Sequence, residues 1–207
     1  MTIIISIEGN IGSGKSTFLQ YLKEHLTSDK ICFLDEPVAD WLSIKDTNDK
    51  NIIERYYGDQ KKYAFPFQMM AYISRLSLLK KALQNNTYNC IIMERSLFTD
   101  RNVFCKMLYD DNLIEKIEYT IYNKWFDEFN IKEDIIYVYL KCDPWRANDR
   151  VIHRNRRGEI IPIDYLVKCH NYHENWLKNE TTFVLDANKS NDKIYPKWLD
   201  EIKKLLI

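Results

Sequence analysis

Nine consecutive residues near the start of the chain, Gly9-Asn10-Ile11-Gly12-Ser13-Gly14-Lys15-Ser16-Thr17, match the pattern G-x-x-x-x-G-K-[ST] in full. They follow a short apolar run and open a helical pattern, which is the strand-to-helix setting the motif requires. Glycines let the backbone wrap closely around phosphate oxygens, and N–H groups of the turn and helix start supply the partial positive charge an anion needs. Lys15 can neutralise charge on the β- and γ-phosphates of a nucleotide, and the Ser16 hydroxyl can ligate Mg²⁺. A Gly-rich turn that merely joins strand to helix is the bland alternative; the complete motif in its proper place argues against it.

Acidic groups stand beyond two further apolar runs. After Ile31–Leu34 comes Asp35-Glu36-Pro37-Val38-Ala39-Asp40-Trp41. A carboxylate there, facing the phosphate loop, is placed to accept the proton of an attacking hydroxyl, although an ordinary exposed acidic turn would read the same. After Cys90–Met93 comes Glu94-Arg95-Ser96. Glu94 can hold Mg²⁺ directly or through a water, and Arg95 can bridge a substrate oxygen and Glu36. A capping Glu beside a surface Arg gives the same short string.

Gln68 and Arg75 lie seven positions apart, within about 20° of each other on a helix, with Tyr72 between them. Met69, Ile73, Leu76 and Leu83 form an apolar side that can pack on the core or on a partner subunit. An amide two turns from a guanidinium suits the edge of a planar heterocycle; a solvated helix face is the plainer reading. Further on, positive charge is dense at Arg146, Arg150, His153, Arg154, Arg156 and Arg157. Arg146, Arg150 and Arg154 recur every four residues, and like charges so placed repel unless an anion sits among them. A triphosphate is such an anion, with Asp143 and Asp149 as the alternative source of balance. Gly158 and Glu159 follow in a predicted loop, so this segment reads as a lid that closes over a nucleotide and excludes water.

The elements that must hold these groups follow from the alternation of short apolar runs with helical patterns, which produces a mostly parallel sheet covered on both faces. Strands are predicted at Ile3–Ile7, Ile31–Leu34, Cys90–Met93, Ile135–Leu140 and Thr182–Asp186, as continuous apolar runs suited to burial on both faces. Helices are predicted at Lys15–Leu26, Ile52–Tyr57, Phe67–Gln84, Thr99–Tyr109, Leu113–Phe129, Pro144–Asn155, Asp164–Leu177 and Ile194–Leu206, with Ser43–Asn51 a polar loop. Asp143-Pro144 marks a helix start by its cap and its first-turn proline. Ligands of open α/β sheets bind beyond the carboxyl ends of the strands, where most of these candidate residues fall.

The 207 residues fit one domain, 1–207, with no repeat or linker. Thirty basic residues balance thirty acidic ones, so nothing global attracts nucleic acid or an anionic membrane, and a small-molecule substrate is expected. Five cysteines are scattered singly, without a C-x-x-C pair, which argues against a disulfide framework or a zinc site. The opening MTIIISIEGN has an apolar run of five residues at most and no basic leader. It predicts neither a signal peptide nor a membrane span, and a cytoplasmic protein is expected.

Taken in order, the blocks IEGNIGSGKST, DEPVADW, FPFQMMAYISR, ERSLFTDR, the Arg-rich lid, IPIDYL, HENWL and VLDAN resemble the deoxyribonucleoside kinase family, in particular its deoxycytidine and deoxyguanosine kinase branch. The correspondence runs from Ile5 to about Asn188. The resemblance implies transfer of the γ-phosphoryl group of ATP to the 5′-hydroxyl of a deoxynucleoside, on a P-loop type five-stranded parallel sheet with helices on both faces and an Arg-rich lid. It implies Glu36 as general base, Arg95 as its partner at the 5′-hydroxyl, and Ser16 with Glu94 as the Mg²⁺ site. Trp41, Tyr57, Gln68, Arg75 and Asp100 would line the nucleoside pocket, Tyr57 and Glu159 would hold the sugar 3′-hydroxyl, and Arg150, Arg154 and Arg156 would contact ATP phosphates. A homodimer formed largely by helices is implied too. Tyr56 stands where the branch often carries an apolar Met, and the stretch from Glu159 to Pro162 is one residue shorter than usual. Arg75 with Asp100 favours bases that bear an amino group over thymine. Two other readings remain: a thymidylate-type monophosphate kinase, which needs cations placed for the acceptor's phosphate, and a non-catalytic nucleotide-binding homologue, which should have lost some of Lys15, Ser16, Glu36, Glu94 and Arg95.

Overall fold

The computed structural model describes residues 2–156, 158–189 and 193–206. Five strands, β1 (Ile3–Glu8), β2 (Ile31–Leu34), β3 (Cys90–Glu94), β4 (Ile135–Lys141) and β5 (Thr182–Asp186), form one sheet in the order β2-β3-β1-β4-β5. Every pairing is parallel. The predicted strands are all present, within one residue at each end. The chain winds from β1 out to β2 and back to β3, then crosses to β4 and β5 on the other side. The direction reverses at β1, so the loop leaving β1 sits in the crevice where ligands of such sheets bind. The expectation of burial on both faces holds for the centre and fails at the rims. Every residue of β3 is buried, whereas β2 is only partly buried and Val184 of β5 is 59% exposed, because an edge strand has a neighbour on one side only.

Between the strands run α1 (Lys15–His25), α2 (Val38–Ser43), α3 (Ile52–Gly58), α4 (Gln60–Leu83), α5 (Leu97–Thr99), a π-helical stretch (Asp100–Cys105), α6 (Lys106–Asp110), α7 (Lys116–Phe129), α8 (Pro144–Arg154), α9 (Ile163–Leu177) and α10 (Tyr195–Leu205). Successive strand side chains point to opposite faces, and β1 sorts accordingly. Ile5 and Ile7 pack with Phe18, Leu22 and Trp198 of α1 and α10; Ile4 packs with Tyr72, Leu79, Tyr122 and Phe126 of α4 and α7. Helices therefore cover both faces and hold the loop after β1 from either side.

Several boundaries differ from the sequence reading. Helix α4 begins at Gln60 instead of Phe67, because Asp59 caps it by accepting from Lys62 N at 3.2 Å and Pro66 is accommodated inside. Pro66 and Lys62 both face solvent, so water can take the carbonyl that the proline leaves without a donor. The predicted helix Thr99–Tyr109 divides into α5, the π-helical stretch and α6. Helix α2 takes up most of the segment after Asp35-Glu36-Pro37, where no helix was predicted, and ends where the predicted loop Ser43–Asn51 begins. Helix α7 starts at Lys116, where Glu115 and Glu118 form a capping box. Asp143 starts α8 as predicted, accepting from Trp145 N at 2.8 Å. Arg157 lies outside the described residues.

Candidate active site

The loop after β1 is shaped by close contact with α8. At Gly12, φ is 79° and a Cβ would stand 2.3 Å from the carbonyl oxygen of Ala147, so no side chain fits. Lys15 is buried and donates to Asn10 O at 2.8 Å. Burial, and then the Arg95 charge, push its pKa down to about 7 against the pull of Glu94, Glu36 and Glu8. The Asn10 amide donates to Leu166 O at 2.8 Å and its oxygen accepts from Ile11 N, which ties the loop to α9. Ile11, Gly12, Gly14, Lys15, Ser16 and Thr17 line a cavity of about 420 Å³. Gly9, Asn10 and Ser13 form the loop's back: Gly9 O accepts from Arg95 Nη2 at 3.4 Å, and Ser13 Oγ is buried with no partner among the described residues.

The acidic candidates separate cleanly in space. Asp35 is turned outward, its side chain 66% exposed and paired with Lys23 at 2.6 Å, whereas Glu36 faces the cavity. Glu36 Oε1 accepts from Arg75 Nη2 at 2.7 Å and from Arg95 Nη1 at 2.8 Å. Burial opposes its charge, but the two guanidiniums, Arg95 foremost, outweigh burial and hold the carboxyl well below the usual range. Glu94, the last residue of β3, accepts from the Ser16 hydroxyl at 3.0 Å, so both residues expected at the metal stand together. Arg95 follows with φ 62°, a conformation unusual for a non-glycine residue and common where a site demands it. Its Nε is buried with no partner among the described residues.

At the far end of the same cavity, Arg75 links three groups. Its Nε donates to Asp100 Oδ2 at 3.0 Å, Nη1 to Glu94 O at 3.2 Å and Nη2 to Glu36. Burial pushes Asp100 up to about 6 against the pull of Arg75 and Arg95. Asp100 opens the π-helical stretch, a form that recurs at functional sites. Gln68 is buried against the cavity, and its Oε1 has no partner among the described residues. Trp41 donates through Nε1 to Ser74 Oγ at 3.0 Å, with the Arg75 guanidinium 5.3 Å from its ring. Tyr57 also lines the cavity.

Two expectations about side chains are corrected. Tyr72, read on the Gln68–Arg75 face, does not line the cavity; its hydroxyl donates to Trp125 O of α7 at 3.2 Å. Of the three arginines spaced by four, Arg150 and Arg154 line the cavity and Arg146 is exposed outside it, because that helical row winds away from the phosphate loop. Arg150 donates to Ser13 O at 3.2 Å and Ala187 O at 2.8 Å, and so braces the loop. Arg154 and Arg156 both line the cavity and pair with Glu159 at 2.5 and 3.7 Å. The sequence reading missed Phe104 and Tyr165, which also line the cavity, and the 2.8 Å hydroxyl contact of Tyr165 with Tyr56. It also missed the buried Glu8, whose one available signal was an acidic residue ending an apolar run directly before the phosphate loop.

The deoxynucleoside kinase family model matches residues 5–206. The chain is 34% identical to the deoxycytidine kinase of Bos taurus and 31% identical to that of Homo sapiens, each alignment spanning 98% of this chain and 90% of the relative. It is 32% identical to deoxycytidine kinase 2 of Gallus gallus, over 98% of this chain and 89% of the relative. With a phosphate loop at the sheet's switch point and one cavity leading from it to buried polar groups, the chain belongs to the deoxynucleoside kinase family, whose members transfer a phosphoryl group from ATP to a hydroxyl of a deoxynucleoside.

Proposed function

We propose that the acceptor is the 5′-hydroxyl of a deoxynucleoside with an amino-bearing base, of the deoxycytidine, deoxyadenosine or deoxyguanosine kind, in preference to thymidine. The observation that carries this reading is the Asp100–Arg75–Glu36 chain of ion pairs along one cavity wall. An ionised Asp100 only accepts hydrogen bonds; it suits the exocyclic amino group of cytosine or adenine and repels the O4 of thymine. Guanine would turn its O6 toward Arg75. Gln68 Oε1, buried without a partner among the described residues, adds an acceptor that a base can satisfy. Trp41 walls this end, while Tyr57 and Glu159 take the sugar 3′-hydroxyl. The names of the vertebrate relatives support the same choice.

Glu36 and Arg95 act at the reacting hydroxyl. Both arginines bond to Oε1 of Glu36, which leaves Oε2 to accept from the 5′-hydroxyl. The depressed pKa makes Glu36 a weak base in the free protein, which suits a loose transition state where the proton leaves late. Lys15, Arg150, Arg154 and Arg156 hold the triphosphate, with the backbone of Gly9–Thr17 around it. Ser16 and Glu94 offer two hard oxygen donors side by side. Mg²⁺ is commonly bound by only one or two protein oxygens, so these two donors fit it, and Ser16 and Glu94 would hold it here. Bound there, Mg²⁺ supplies charge to the phosphate oxygens.

Residues 1–207 act as one domain, since both ends of the cavity are anchored in one sheet. A homodimer is supported by a row of exposed apolar residues on α7 (Ile117, Ile121, Trp125, Phe129), together with Ile73 of α4; sedimentation in solution tests it. Five free cysteines fit a cytoplasmic location. No helix among the described residues is long and apolar enough to cross a membrane.

Transfer of labelled γ-phosphate to each of the four deoxynucleosides and to their monophosphates tests the reading. Turnover of monophosphates alone, or a wild type that prefers thymidine, would overturn it. Glu36→Gln should lower kcat by about 10²–10⁴-fold with a smaller change in nucleoside affinity, because size and most hydrogen bonding survive while basicity is lost. A collapse of affinity with kcat intact would make Glu36 a binding group only. The ratio of kcat/KM for deoxycytidine over thymidine should fall as pH drops from above to below about 6. Asp100, faced by Arg75, Arg95 and Glu36, is ionised above that pH and gains a proton below it, becoming able to donate to O4. A ratio that stays flat across that range counts against Asp100 as the discriminating group.

A further inference from the structure

Glu8 ends β1 with its side chain wholly buried, and it does not line the cavity. The β1–β3 ladder brings Ile7 opposite Glu94, and Arg95 N still donates to Ile7 O at 3.1 Å. One residue later the backbone has turned away at Arg95, φ 62°, and the next amide finds a side chain instead of a strand. Ser96 N donates to Glu8 Oε1 at 2.9 Å, and the Ser6 hydroxyl donates to the same oxygen at 2.7 Å. The Thr99 hydroxyl donates to the other oxygen, Oε2. Ser96 and Thr99 are fully buried, so no water can replace these bonds.

One carboxylate thus holds both ends of the turn 96–99. Immediately before that turn stand Glu94 and Arg95, and immediately after it stands Asp100. We infer that Glu8 is a positioning residue for phosphoryl transfer: by fixing the turn from Ser96 to Thr99 it sets the Arg95 guanidinium and the Asp100 carboxylate relative to one another, and so governs both turnover and base choice. This rests on the roles proposed above for Arg95 and Asp100. Glu8 touches neither substrate nor phosphate; it acts through the backbone of the turn.

The test uses the full chain with Glu8→Gln, Thr99→Val and the double variant, each checked for cooperative thermal unfolding. Thr99→Val is nearly isosteric and removes only the hydroxyl that reaches Glu8, so it reads the inference even where Glu8→Gln fails to fold. Each folded variant should lose about tenfold or more in kcat, and in Thr99→Val, which leaves the Glu8 charge near Lys15 in place, KM for ATP should stay within about threefold. The ratio of kcat/KM for deoxycytidine over thymidine should shrink as well. The double variant should lose no more than the worse single, since both changes break one linkage. Wild-type kcat and base ranking in folded variants overturn the inference. So do equal losses for all four nucleosides, which mark a merely structural role, and so do additive losses. A wild type without turnover or base preference instead removes the functional reading itself.

Discussion

Lys15→Ala is expected to leave the fold intact and to lower kcat by about 10²–10³-fold or more, the scale on which a fixed counter-charge at a developing anion matters. The lysine is held ready by its bond to Asn10 O and by burial at the floor of the phosphate loop. Among the described residues, the two guanidiniums nearest the loop make other bonds, Arg95 to Glu36 and Arg150 to loop carbonyls, and neither lies inside the loop as Lys15 does. Stability at neutral pH should be unchanged or higher. The folded state holds Lys15 at a pKa near 7, below its ordinary value, so folding is penalised in full below about pH 7 and less as pH rises toward the ordinary value, and alanine removes that penalty. Thermal unfolding and single-turnover kinetics at saturating ATP check both halves. Near-normal turnover would remove the phosphate-loop assignment; a large drop in melting temperature would mean that Lys15 serves the fold.

The second large effect concerns Asp100 and Arg75, which form a unit buried at 1% and 4% exposure. Asp100→Ala alone strands a buried guanidinium whose remaining carboxylate, Glu36, is shared with Arg95. Breaking a buried pair by removing one partner costs about 3–5 kcal/mol, so this variant should be both less stable and nearly inactive. Replacing both, as Arg75→Met with Asp100→Ala, avoids the stranded charge and opens room for the thymine methyl. The double variant is therefore expected to regain stability relative to Asp100→Ala and to shift kcat/KM toward thymidine. Urea unfolding and kcat/KM for all four deoxynucleosides, measured on the wild type and both variants, test this. A double variant with the wild-type ranking would show that base choice is made elsewhere in the cavity.

Much of this site is written in short, local strings. The run Gly9–Thr17 states a phosphate cradle by itself, because the chemistry lies in backbone amides whose path a few glycines fix. The strands were equally legible, since a strand buried on both faces must be an unbroken apolar run, and the Asp143-Pro144 start of α8 rests on local capping geometry. Without the family resemblance, the string Asp35-Glu36 leaves open which of two adjacent carboxylates faces inward. Only the packing of α1 decides that, by giving Lys23 to Asp35 and leaving Glu36 to the arginines. The same holds for Arg146, Arg150 and Arg154, identical in spacing and separated by how α8 lies on Gly12. The π-helical stretch at Asp100 and the helix that runs through Pro66 have no local signature, since each depends on tertiary contacts overriding an intrinsic preference. Glu8 is the sharpest case: in sequence it is one acidic residue before a glycine, and only the arrival of β3 alongside β1 turns it into the acceptor for a turn some ninety residues away.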